Sequence, residues 1–232
     1  VKQYIKDFEK LGFGIFVHFG VYSVVGKGEW SKAVLHISNE EYAEYAKQFS
    51  PAKDWAKKLV ENAKRAGAKY ITITTRHHDG FSLYDTCGLN DYDTVHYCGR
   101  DLIREFVDAC SEGGIVPFFY HTLMDWYMPS YEADFNEYLV YLRKSVELLC
   151  TNYGKIGGFF FDGNWWHPKK DWKLDEHWQT AACCGDAVFL LETLGHGIGS
   201  LAGQIKDLIG TKTASDRLTV GVVTRGDGVE LT

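Results

Sequence analysis

Four apolar runs stand out along the 232-residue chain: GFGIFVHFG at 12–20, KYITITTRHHDG at 69–80, IVPFFYHTLMDW at 115–126 and IGGFFFDGNWW at 156–166. Their near-continuous apolar character, rich in β-branched and aromatic residues, predicts strands buried on both faces. Between them, apolar residues recur at three- and four-residue spacing in DWAKKLVENAKRAG (54–67), in RDLIREFVDACSEGG (100–114) and from about Tyr131 to Asn152. Each stretch is closed or followed by a glycine suited to a helix C-terminal cap, which predicts three helices. Strands alternating with helices indicate parallel βα units in an α/β protein.

Every apolar run ends in polar and aromatic residues: His18 after the first, His77-His78-Asp79 after the second, Tyr120-His121 and Asp125-Trp126 after the third, Asp162 with Trp165-Trp166 after the fourth. A (β/α)8-type, TIM-like barrel presents its chemistry at the carboxyl ends of several parallel strands. A doubly wound sheet does so too, but FGVYSVVG after the first run is no dinucleotide fingerprint, which favours the barrel. Four units take 178 residues, so eight at that size need about 350. The expectation is therefore about the first half of a barrel, followed by a tail.

Composition marks where that tail starts. Of the 35 aromatic residues, 34 precede residue 179, and 9 of the 24 glycines follow it. Residues 1–178 are read as the N-terminal part of a catalytic barrel and 179–232 as a distinct segment. For that segment we expect either a helix around Asp186 to Ile209 and a strand at 218–224, or a frame-shifted ending. A net charge of −6 without basic runs longer than pairs leaves no nucleic-acid or anionic-membrane footprint. No apolar run reaches the ~18 residues of a membrane span, and VKQYIKDFEKLGFG lacks signal-peptide architecture. A soluble chain is expected, cytoplasmic or exported after processing, with Val1 leaving room for a removed leader. Six cysteines without a C-x-x-C pair read as reduced thiols.

Among candidate chemistry, Asp162 in FFFDG is either a turn aspartate before Gly163 or a carboxylate set among aromatic faces that suit a sugar ring and an oxocarbenium-like transition state. His77 and His78 are adjacent on a predicted strand, where successive side chains point to opposite faces. They therefore suit polar recognition of a hydroxylated ligand better than chelation of one metal, and no metal site is assigned. Glu29-Trp30, in the loop after the first run, fits a sugar subsite or a surface accident; Tyr120 and Trp126 are subsite or core. His36, His96, His167 and His177 read as surface or loop residues.

Taken together, FGIFVHFGVYSVVGKGEW, AKYITITTRHHDGFSLYDT, RDLIREFVDACSEGGIVPFFY and FFFDGNWW resemble the retaining α-L-fucosidase family of glycoside hydrolases over about residues 8–178. The resemblance implies a (β/α) barrel that hydrolyses α-L-fucosides with retention, without metal or organic cofactor, on a fucosylated glycan or glycoside. It implies that Asp162 is the nucleophile and that His18, Glu29, Trp30, His77, His78 and Tyr120 contact fucose. Phe160 and His121 depart from the family pattern and are expected to alter the pocket wall. The family's general acid/base has no recognisable counterpart in 179–232, where Asp186, Glu192, Asp207, Asp216, Asp227 and Glu230 are candidates by type alone. Competing readings are an inactive fragment that binds fucosides, exposing strand edges that favour a homo-oligomer, and a metal-dependent hydrolase built on the histidines.

Overall fold

The structure, a computed structural model, describes residues 3–163 and 188–191. Its helices are α1 (Gln3–Leu11), α2 (Tyr22–Val25), α3 (Ser31–Val34), α4 (Asn39–Gln48), α5 (Trp55–Arg65), α6 (Thr94–Cys98), α7 (Leu102–Gly113), α8 (Ser130–Ala133) and α9 (Phe135–Asn152). The strands are β1 (Gly14–Val17), β2 (Tyr70–Arg76), β3 (Val116–Thr122), β4 (Gly158–Asp162) and β5 (Val188–Leu191). All neighbouring strands are parallel and lie in chain order, β1-β2-β3-β4-β5. Right-handed crossovers that always step the same way place every connecting helix on one face of the sheet. A doubly wound sheet reverses its strand order to cover both faces. The unreversed order therefore matches the barrel-type expectation.

The helices start where short polar side chains catch their free amides. Asp101 accepts from the Arg104 N–H at the start of α7, and Gly114 closes that helix at φ 68°. One helix was expected across 131–152, but Asp134 interrupts it. Its backbone is extended (φ −145°, ψ 94°) and its carboxylate accepts from the Asn136 and Glu137 amides, capping α9 and ending α8. Ile71, Ile73, Phe119, Phe159 and Phe161 pack in one large core with Val60, Phe106, Leu142, Val146 and Leu149 of the helices. Each such fully buried side chain contributes about 1.5–3 kcal/mol. On the opposite sheet face, Tyr70 and Phe118 form a smaller cluster plugged by Phe8 and Leu11 of α1.

Two expectations are corrected here. Where a helix was expected from Asp186, the chain forms β5, registered Gly158↔Val188 to Phe161↔Leu191; the rest of that helix and the strand at 218–224 lie outside the described residues. VFLL is an unbroken apolar run too short for periodicity to separate helix from strand. Cys87, Cys98 and Cys110 are free thiols as expected, whereas Cys150 is disulfide-bonded. Among the described residues no helix is long and apolar enough to cross a membrane.

Candidate active site

Asp162 closes β4 and is registered against Thr122 of β3. Its Oδ2 accepts a hydrogen bond from the Tyr120 hydroxyl at 2.7 Å and faces His78 Nε2 at 3.4 Å. On the far side of that ring, Nδ1 lies 2.7 Å from Thr122 Oγ1, whose single hydroxyl proton goes to the Met124 carbonyl at 2.7 Å. Thr122 can then only accept from His78, so the network places a proton on Nδ1. A second proton, on Nε2, completes an ion pair with Asp162. The carboxylate is thus oriented by donors from two strands.

The histidine pair is not arranged as its sequence suggested. The register shifts between Thr74 and Arg76 and β2 stops at Arg76, so strand alternation no longer governs residues 77 and 78. Gly80, at φ +82°, turns the chain, with its amide bonded to the His77 carbonyl. The two rings lie together, centroids 4.1 Å apart, instead of on opposite faces. His77 stacks on Tyr120 at 5.4 Å and 15°, and His18 packs against both His77 (5.3 Å) and Tyr120 (5.6 Å). Burial pulls the pKa of His77 well below the usual value, helped by the neighbouring His78 and His18. Burial lowers His18 too, against the opposing pull of Glu29 and Asp162. Both are neutral imidazoles at pH 7, and the Nδ1 atoms of both are buried with no hydrogen bond among the described residues. Polar atoms left so are disfavoured unless a ligand or water meets them.

The wall is aromatic. Trp30 sets its edge against His78 (5.3 Å) and Trp126 (5.2 Å), and Trp126 lies 5.4 Å from His78. Phe160 joins this face, stacked on Tyr120 at 6.0 Å. The structure brings together Asp162, His18, Trp30, His77, His78 and Tyr120; Glu29 is half-buried in the adjoining loop, near enough for its charge to act on His18 and Tyr22. Trp126 and Thr122 were not among the assigned site residues, although Thr122 stands two positions after Tyr120 and so shares its strand face.

His121 is not in the wall. It points to the helix side, fully buried, with Nδ1 2.8 Å from Thr75 Oγ1 and Nε2 2.8 Å from Ser145 Oγ of α9. His36 and His96 are exposed as expected; His167 and His177 lie outside the described residues. His77, His78 and Asp162 offer ligand atoms within 4.8 Å of one another. The hydrogen bonds from Tyr120 to Asp162 and from His78 to Thr122 give those groups organic partners, so the arrangement suits a polar ligand with an electrophilic centre.

A sequence model described as alpha-L-fucosidase matches residues 2–199, running past the composition break at Trp178. The chain belongs to the alpha-L-fucosidase family. It is 29% identical over 194 residues to the tissue alpha-L-fucosidase of Rattus norvegicus, covering 73% of this chain and 42% of the rat protein. With the alpha-L-fucosidase of Dictyostelium discoideum it shares 27% identity, over 73% of this chain and 43% of that one. Among solved family structures, alpha-L-fucosidase isoenzyme 1 from Paenibacillus thiaminolyticus superposes with a TM-score of 0.73 at 32% identity, covering 81% of this chain and 49% of that chain. An alpha-L-fucosidase from Bacteroides thetaiotaomicron, trapped as a covalent intermediate with 2-fluoro-fucosyl fluoride, superposes at 0.74 with 27% identity, over 82% and 48%. The chain thus spans less than half the length of these family members.

Proposed function

We propose that the chain acts on terminal α-L-fucose of a fucosylated glycan or glycoside, as part of a closed (β/α)8 barrel, and hydrolyses it with retention through a covalent intermediate on Asp162. The observation that carries this reading is the Asp162 carboxylate, held by Tyr120 and His78 inside a wall of neutral imidazoles and indoles. In the first step a carboxylate oxygen of Asp162 bonds to the anomeric carbon while the bond from that carbon to the aglycone oxygen breaks. That oxygen takes a proton from a second carboxyl group. In the second step the same group removes a proton from water, whose oxygen bonds to the anomeric carbon and frees Asp162. The trapped intermediate of the Bacteroides relative supports this route. His18, His77, His78 and Glu29 receive the sugar hydroxyls, while Trp30 offers its ring to the C–H surface. The tail acids named above, as candidates for the second carboxyl group, lie outside the described residues.

The test is release of the phenol from an aryl α-L-fucoside, with Asp162→Ala alongside and both proteins checked by circular dichroism. We expect release by the parent chain and none above background in the variant. Unchanged release by Asp162→Ala overturns the nucleophile, and a folded parent that binds L-fucose without turnover leaves a binding protein.

A further inference from the structure

A buried cluster of charges beside the site takes no part in that chemistry. Lys32, in α3, is 5% exposed, and its Nζ makes no hydrogen bond among the described residues. The ammonium stands 5.4 Å from the centroid of the Tyr42 ring. Tyr42 donates its hydroxyl to Asp79 Oδ2 at 2.8 Å, and Asp79 Oδ1 accepts from the Phe81 amide at 3.2 Å. Asp125, equally buried, accepts from the Tyr127 and Met128 amides and faces Arg76 Nε at 3.7 Å. Burial lowers the Lys32 pKa, and Asp79 followed by Asp125 opposes that shift most strongly. An ammonium out of water is strongly disfavoured unless opposite charge compensates it, so these two carboxylates hold Lys32 in place.

We propose that Lys32 is a positioning residue for sugar binding: its ammonium, held by Asp79 and Asp125, latches the segment that carries Glu29 and Trp30 onto the end of β2. Trp30 caps α3 and Lys32 lies two residues on, within the same turn. Asp79 follows His78 directly, and His78 is what the Trp30 ring leans on. The rest of the turn offers little apolar anchorage, because Val34 and Leu35 are 68% and 51% exposed. The segment's placement over the pocket therefore depends on charge. This inference rests on the proposed function for its sugar readout but not for its structural one.

The experiment uses the full chain with Lys32→Met, which keeps length and loses charge, Lys32→Arg, which restores charge, and Asp79→Asn, which removes the latch from the other side. Amide hydrogen exchange of the sugar-free proteins is followed over residues 27–37, together with KM and kcat on an aryl α-L-fucoside. Lys32→Met should speed exchange in that segment while the β2 and β3 amides stay protected. It should raise KM about tenfold with kcat within about twofold, the signature of lost ground-state binding. Lys32→Arg should restore both readouts. Asp79→Asn should reproduce the loosening, and it decides the matter should Lys32→Met not fold. Unchanged exchange over 27–37 overturns the latch, as does faster exchange spread evenly over the chain or a loss confined to kcat. A parent chain that neither turns over nor binds L-fucose refutes the proposed function, while the exchange comparison still decides the latch.

Discussion

The hydroxyl of Thr122 receives the Nδ1 proton of His78 and passes its own to the Met124 carbonyl, so it fixes which edge of the ring meets Asp162. Thr122→Val keeps the shape and removes that instruction. We expect kcat on an aryl α-L-fucoside to fall about tenfold, the lower part of the range for losing a hydrogen bond to a charged group, with little change in KM. A kcat equal to that of the parent would show that the ring keeps its orientation unaided. His18 and His77 make a second prediction. Their folded-state pKa values lie below the ordinary 6.5, so the unfolded chain takes up protons that the folded one refuses. The stability they contribute is complete above about pH 6.5 and is lost as the pH falls below it, at up to ~1.4 kcal/mol per pH unit for each ring. His96 works in the opposite direction, raised by its hydrogen bond to Asp93, but it is exposed and screened. The melting temperature should therefore drop between pH 7.5 and 5.5, and His77→Gln should reduce the drop. The strand-end residues were legible because each closes an apolar run. The face that His121 takes was not, because it follows from the local register of β3 against β2, which shifts at Thr74 to Arg76.

Helices α5 and α7 approach each other where Gly113 meets Val60. A Cβ at Gly113 would stand 2.3 Å from Val60 Cγ1, closer than any packed methyl contact, so the absent side chain sets the spacing of the two helices. Gly113→Ala should destabilise the protein by about 1–3 kcal/mol, the usual range for overpacking, read as a lower urea midpoint at an unchanged slope; an unchanged midpoint would mean the helices move apart freely. This contact lies on the helix face, away from Asp162, so specific activity below the transition should stay at the parent's level. Periodicity located α5, α7 and strands β1 to β4 within a few residues, since their apolar spacing is long enough to choose between 3.6 and 2. It missed the break at Asp134, where one polar residue both ends α8 and caps α9 inside a continuous apolar stripe.

Across the whole molecule, five parallel strands in chain order carry their helices to one side and their chemistry to one end. That architecture was legible from the alternation of runs alone, whereas the general acid was not, because an isolated carboxylate carries no local pattern. The leaving group therefore becomes the diagnostic. General-acid catalysis contributes about 100-fold or more when the departing oxygen is a poor leaving group and little when it is a phenolate of low pKa. We expect the chain to release such phenols at least ~100-fold faster than it cleaves fucose from a sugar alcohol; similar rates on both would place a working acid in the chain.

Strand order also sets a sequence in time. Because each strand pairs with the one made just before it, a nascent chain can add units at a growing edge without waiting for distant partners, the local kind of contact that folds quickly. His18 and Trp30 emerge from the ribosome first, His77 and His78 next, Tyr120 after them, and Asp162 last. The surfaces that hold a sugar are therefore in place before the atom that would attack it arrives, so recognition precedes reactivity in the birth of the pocket as it does in each turnover.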